Sequence, residues 1–251
     1  MLAAMFSTKG APGVTSSALT LAAVWPRPVV LIEADPSGSD LVYRCRAATG
    51  GPLAPSPNIL GLVSAARKER TTPLQGWTQR LGCGVDLVSG VTAPSQARGM
   101  SGLWEALAGT LRSSEVDVFA DLGRLDRESP ARAILDSADL RIPVLVPALD
   151  AIMHTRELLK DLQLGGRGQT VPLMIGRTRT AAADGQDVDE VMAGAGLITS
   201  PTSHLPLDHP GLSALEGTAS PSSKVRASHL IRGARTVTQR LLALTGSEEA
   251  R

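Results

Sequence analysis

The chain has 251 residues, 43% of them hydrophobic and 20% charged, with a formal net charge of +1. That balance describes a globular chain able to bury a sizeable core, and it excludes a disordered one. It also excludes a strong global field selecting nucleic acid or anionic lipid, so any such contact has to be a local patch. Cys45 and Cys83 are the two cysteines and show no metal-type spacing; reduced thiols in a cytoplasmic protein are the expectation. The N-terminus enters an apolar strand directly, without a basic leader. No apolar run approaches the ~20 residues of a membrane span.

Leu2 to Phe6 predicts a buried strand. The stretch Ser7-Thr8-Lys9-Gly10-Ala11-Pro12-Gly13-Val14-Thr15-Ser16-Ser17 follows it. Ala18 to Trp25 then reads as an apolar helix, stopped by Pro26 and Pro28. Strand, glycine-bearing loop and helix aim backbone N–H groups and a helix N-terminus at an anion, usually a phosphate. The hydroxyls of Thr15 and Ser16 stand at the helix entrance, where one can cap the helix and one can reach Mg²⁺. The plain alternative is a turn that uses glycine for backbone reasons. Pro28 to Ile32 is a second apolar run, ending in Glu33-Ala34-Asp35-Pro36. Carboxylates at the carboxyl end of a parallel strand lie on the ligand side of such sheets. Turn chemistry and helix capping are the plain reading of the same two acids.

Ser39 to Ala47 and Ile59 to Glu69 read as helices around a Pro/Gly loop, Thr49 to Asn58, expected to be mobile. Arg67, Lys68 and Arg70 read as a solvated helix face. Val85 to Val88 predicts a strand, and Gln96 to Arg112 one long helix with Leu103, Trp104, Leu107 and Leu111 on one face. Val116 to Gly123 is another buried strand ending in an acid and a glycine; Asp121 there can hold a Mg²⁺ shell through water. Leu140 to Val146, Val171 to Gly176 and His204 to Asp208 predict further strands. Leu149 to Leu164 and Asp187 to Ala193 predict helices. His204 and His209 have no evident acid–base partner and read as surface turn residues. A closing helix from Ala227 to Leu244 carries Leu230, Ile231, Ala234, Val237, Leu241 and Leu242 at helical spacing, so it reads as a core helix. A membrane-lying helix would share that pattern, but only the polar Gly246 to Arg251 follow it. The alternation predicts an α/β fold, a doubly wound and mostly parallel sheet flanked by helices, in one domain spanning 1–251.

The glycine-bearing loop departs from the ordinary phosphate loop, G-x-x-x-x-G-K-[ST], because Val14 stands at the lysine position. It resembles the deviant Walker A loop of the ParA/MinD family, KGGxGK[ST][ST]. On that pattern Lys9 is the signature lysine, Gly10 and Gly13 are glycines of the loop, and Thr15 is the magnesium-binding hydroxyl. Val14 replaces the second lysine, and Ala11-Pro12 replace Gly-x. The Glu33–Pro36 segment resembles the family's Walker A′, hhhhDxDPQ, with Glu33 on its first aspartate and Asp35 on its second, catalytic one. Val116 to Gly123 resembles Walker B, although the family's DxPxG reads Asp121-Leu122-Gly123-Arg124 here.

The resemblance runs through essentially the whole chain in element order, and it implies a P-loop NTPase-like fold. It implies an ATP-binding dimer switch in which two protomers sandwich two ATP–Mg²⁺, with Lys9 of each reaching the partner's phosphates. Residues Lys9 through Ser16 would bind the nucleotide, Thr15 and Asp121 would hold Mg²⁺, and Asp35 would orient the attacking water. Arg177 and Pro206 would flank the adenine. The missing ammonium at Val14 implies weak or absent hydrolysis. Such proteins position or partition a cargo in the cytoplasm, so the expected partners are a second copy and a protein of secretion, pilus or division machinery. Membrane proximity would come through that partner. The atypical loop also resembles the TadZ/CpaE branch, which implies a non-catalytic localisation protein of a Tad-type system. A third reading is a DNA-partitioning protein with Lys224, Arg226, Arg232 and Arg235 as a non-specific DNA patch, which the near-zero net charge opposes.

Overall fold

A computed structural model describes residues 1–9, 12–68, 72–166, 168–218 and 228–246. Of the residues named above, Gly10, Ala11, Glu69, Arg70, Lys224, Arg226 and Ala227 lie outside these segments, as does the tail after Gly246. The chain opens with β1 (Leu2–Ser7), α1 (Val14–Val24), β2 (Val29–Glu33), α2 (Leu41–Arg44) and α3 (Ile59–Ala66). It continues through β3 (Gln79–Arg80), β4 (Asp86–Val88), α4 (Pro94–Gly99), α5 (Trp104–Arg112), β5 (Asp117–Arg124) and α6 (Arg132–Ser137). Then follow β6 (Leu140–Leu145), α7 (Leu149–Leu162), β7 (Gln169–Thr170), β8 (Leu173–Gly176) and α8 (Ala181–Gly194). β9 (Ser203–Pro206), α9 (His209–Leu215) and α10 (His229–Gly246) complete it.

The strands form one sheet in the order β3-β4-β2-β5-β1-β6-β8-β9, with β7 pairing β6. Every pairing is parallel except the edge pair β3–β4. All six residues of β1 are buried, because helices cover both sheet faces and a central strand then needs apolar residues on both. Its side chains divide by alternation. Leu2, Ala4 and Phe6 enter one apolar layer with α3, α5 and α7, while Ala3 and Met5 enter the other with α1 and α10.

At the amino ends of the strands the carboxylate of Asp117 gathers three donors: the N-terminal amine at 3.1 Å, Arg27 Nε at 2.8 Å and Trp25 Nε1 at 2.7 Å. Trp25 also meets Phe119 edge-on, with ring centroids 5.0 Å apart. These contacts tie α1 to β5 at the sheet end remote from the carboxyl termini of the strands.

Four elements differ from the sequence expectation. The helix expected over Ser39–Ala47 is the single turn α2, Leu41–Arg44. The long helix expected over Gln96–Arg112 is two helices, α4 and α5, because Gly102 adopts a left-handed φ of 78° between them. The helix expected over Asp187–Ala193 starts earlier, at Ala181. His209-Pro210 is not a bare turn but the first turn of α9, where proline costs nothing because its missing N–H would be unpaired anyway. The closing helix does bury Leu230, Ile231, Ala234, Val237 and Leu241. Among the described residues no helix is long and apolar enough to cross a membrane.

Candidate functional site

The carboxyl ends of β1, β2, β5, β8 and β9 gather the residues that the sequence singles out. Gly13 ends the loop with φ 98° and ψ 36°, a left-handed turn that starts α1, and its carbonyl accepts from the Ser17 N–H at 2.8 Å. A Cβ at Gly13 would lie 3.2 Å from Ile175 Cδ1 as well as strain the backbone. Val14 is 5% exposed and packs into the apolar layer of α1. Thr15 and Ser16 are half-buried on the first turn. Ser16 Oγ accepts from Arg44 Nη2 at 2.8 Å.

A cavity of about 190 Å³ opens beside this turn, lined by Pro12, Gly13, Ser16, Ser17, Ile175 and Pro206 among others. Ser17 is one of its lining residues, and the Ser17 Oγ is buried with no hydrogen-bond partner among the described residues. An orphaned hydroxyl at a cavity wall is where a ligand's polar atom fits. Gly233 of α10 lets that helix close on Pro206, since a Cβ there would stand 2.3 Å from Pro206 Cδ. Arg177 is exposed just past β8 and does not line the cavity. A larger open depression of about 740 Å³ beyond Pro36 and Ser37 contains no residue of the loop.

Three acids stand at neighbouring strand ends. Glu33 and Asp121 are register partners on β2 and β5, and each is 1% exposed. Glu33 is satisfied by its own chain: Asp40 N–H donates at 2.9 Å, Leu41 N–H at 2.8 Å, Gly90 N–H at 3.4 Å, and the Ser39 hydroxyl donates as well. Burial pushes its carboxyl above the usual range, against the pull of those donors.

Asp121 is less well served. Gly123 N–H donates at 2.9 Å and the Thr15 hydroxyl is within hydrogen-bonding reach. Burial drives its carboxyl up to about 7, those two donors pull it down, and the nearby Glu33 and Asp35 push it further up. Asp35 is half-buried, accepts from Ser37 N–H at 2.7 Å, and lies against Gly123, whose absent Cβ would be 1.8 Å from Asp35 Oδ2. Burial raises its carboxyl too, with the Asp40 charge adding to the rise.

A buried carboxylate beside a hydroxyl and two further acids is a donor set that suits a hard cation. Thr15 and Asp121 therefore fit Mg²⁺. Among the described residues no three His, Cys, Asp or Glu side chains converge on a metal position. Mg²⁺ does not require that, since it takes one or two protein oxygens and completes its shell with phosphate and water. Lys9 is exposed at the bend after β1 and forms no ion pair among the described residues, with neither Glu33 nor Asp35 as a partner.

Sequence reasoning missed Arg44, Ser17 and Glu216. Arg44 Nε donates to Glu216 Oε1 at 2.9 Å from 172 positions away, a separation that leaves no spacing signal.

No protein-family model and no curated protein matches the chain. Solved structures do. A ParA family ATPase from Chlorobium tepidum aligns with a TM-score of 0.70 at 17% identity, over 96% of this chain and 98% of that one. The septum site-determining protein MinD of Pyrococcus horikoshii, complexed with Mg-ADP, aligns at 0.71 and 14% identity, over 98% and 97%. A complex of Cyanothece McdA with ATP aligns at 0.63 and 16% identity, over 96% of each chain. In element order, sheet and loop placement, the chain has the fold of the ParA/MinD ATPases, which is the ParA/MinD-like P-loop NTPase fold.

Proposed function

We propose that the whole chain is one nucleotide-binding domain that takes ATP with Mg²⁺, hydrolyses it slowly or not at all, and uses the bound state to position or partition a cargo. One observation carries this reading: the cavity that runs from the turn at Gly13 and Ser16 to Pro206, with the orphaned Ser17 hydroxyl in its wall. That geometry suits a base at the Pro206 end and phosphates over the first turn of α1. The alignment of the P. horikoshii MinD–Mg-ADP complex over nearly the whole chain supports the same ligand.

Thr15 and Asp121 would hold Mg²⁺, which when bound supplies positive charge against the phosphate oxygens. Backbone N–H groups of the first turn of α1 bind the anion and orient it. Asp35, held by the Ser37 N–H and by contact with Gly123, faces the same strand ends and can accept a proton from water. Val14 supplies no charge, so transition-state stabilisation is short by several kcal/mol and turnover is slow. Lys9 projects outward, available to the phosphates bound by a second copy. The unit of action is therefore a nucleotide-coupled homodimer, recruited in the cytoplasm by a protein partner. Of the DNA patch, Arg232 and Arg235 are exposed on α10.

Calorimetric titration of ATP and ADP with Mg²⁺, followed by a turnover assay, tests this. Binding in the micromolar range with little phosphate release is the expected result. Absence of binding at millimolar ATP, or turnover at an ordinary P-loop rate, would overturn it.

A further inference from the structure

Val14 leaves the loop without its ammonium, yet a cation does touch the loop from another element. Arg44, the last residue of α2, donates from Nη2 to Ser16 Oγ at 2.8 Å, and Ser16 lines the cavity. Among the described residues no other lysine or arginine hydrogen-bonds a side chain of the loop. The guanidinium is also held by Glu216, the residue that follows α9, through Nε at 2.9 Å and through the same Nη2 that reaches Ser16. The pair is largely sheltered, with side chains 33% and 11% exposed. Arg44 Nη1 has no partner among the described residues, so part of the fork is unused.

We propose that Arg44 is the phosphate-binding cation of this loop, standing in for the lysine that Val14 replaces, and that the Glu216 carboxylate holds it in place and partly cancels its charge. The inference rests on the nucleotide reading of the same cavity. The first turn of α1 belongs to an 11-residue helix and presents free N–H groups, and the buried, unpartnered Ser17 hydroxyl beside it marks a ligand position independently. A guanidinium has five donors in a planar fork, which matches phosphate oxygens and lets Arg44 keep Ser16 while engaging a phosphoryl group. Its position is set from the sheet. Glu33 accepts the Asp40 and Leu41 N–H groups, fixing the start of α2, and four residues of helix then deliver Arg44 to Ser16. Glu216 opposes the ligand because a carboxylate so near an anion site competes for the same cation.

The test is calorimetric titration of the full chain with ATP and with adenosine, both with Mg²⁺. Glu216→Gln keeps an acceptor for Arg44 and removes the charge, so it should tighten ATP about tenfold, the scale of one charge-assisted hydrogen bond. Arg44→Ala should weaken ATP by about tenfold or more, and Arg44→Lys should recover part of the loss. Adenosine, lacking phosphate, should bind all variants alike. Arg44→Ala leaves Glu216 unpaired, so the double variant Arg44→Ala/Glu216→Gln, checked by melting temperature, guards against a folding artefact. If wild type binds ATP and Glu216→Gln leaves that affinity unchanged or weaker, Arg44 is a structural strut and the proposal is overturned. If neither wild type nor Glu216→Gln binds ATP, the nucleotide reading falls and takes this one with it.

Discussion

Glu33 and Asp121 occupy matching positions on adjacent strands, are equally buried, and differ in what surrounds them. Four donors from the chain close around Glu33. Asp121 keeps one backbone donor, with the Thr15 hydroxyl nearby, and its neighbouring charges are both negative. A buried carboxylate completed by its own protein is architecture, since its lone pairs are spent on the turn that starts α2. One left incomplete carries an unfavourable charge that a proton relieves in the free protein and a metal cation can relieve in its place. Of two acids that look alike in the sequence, the one whose hydrogen bonding is unfinished is the one proposed to meet the metal.

Substitution at Asp121 should give the largest effect. Its folded pKa of about 7 lies above the ordinary 3.8, so the native state holds a proton that the unfolded state has lost between those values. Stability from this group therefore falls as pH rises through that window. Asp121→Asn should raise the unfolding free energy of the ligand-free protein at pH 8, by up to about 4 kcal/mol, and flatten its dependence on pH. The same variant should lose the Mg²⁺-dependent part of ATP binding. In wild type that part should grow as pH climbs through neutrality, because the carboxylate must be charged to hold the metal. A pH-independent melting curve for wild type between pH 5 and 8 would contradict this.

Glu33 should behave in the opposite sense. Glu33→Ala strands the Ser39 hydroxyl and the Leu41 N–H, at a cost of about 3 kcal/mol in urea unfolding, whereas Glu33→Gln should lose far less. If Glu33→Ala keeps wild-type stability but loses Mg²⁺ dependence, the two carboxylates have been assigned the wrong way round.

Asp35 stands between these cases. Half-exposed and bonded to one turn, it should change stability by less than about 1 kcal/mol on replacement by alanine, about the worth of one hydrogen bond. Residual hydrolysis should disappear while ATP affinity stays within a few-fold, because orienting water matters in the transition state and not in the ground state. Equal losses in affinity for Asp35→Ala and Asp121→Ala would erase the division between them.

The smallest stability effect belongs to Lys9. Exposed and outside every described ion pair, its replacement by alanine should leave the melting temperature unchanged. ATP-driven dimerisation, read by sedimentation velocity, should vanish in that variant. Persistence of the ATP-induced shift in Lys9→Ala would remove the lysine from the interface.

The contrast between the acids explains what the sequence could tell. Parallel strands buried on both faces are near-continuous apolar runs, so β1, β2, β5 and β6 were readable from composition alone. The turn at Gly13 and the acids at the strand ends were readable because glycine, hydroxyl and carboxylate spacing is local. The difference between Glu33 and Asp121 was not, because one donor to Glu33 arrives from Gly90, 57 positions away. Arg44 and Glu216 escaped notice for the same reason, at a separation of 172. The break between α4 and α5 was hidden by apolar residues that keep helical spacing across Gly102, whose left-handed backbone the pattern does not encode.

Gly123 carries one further consequence. Its backbone stands at φ 61°, and the space a side chain would need is occupied by the Asp35 carboxyl. Positions 35 and 123 are thus a single mutational unit: a methyl group at one expels the acid at the other. Any lineage of this protein that keeps the Asp35 carboxyl is held to glycine at 123; one that abandons it loses the carboxyl clash but still meets the left-handed backbone and the Cβ of residue 35. Among homologues, a residue other than glycine at 123 should therefore occur only where position 35 has lost its carboxyl.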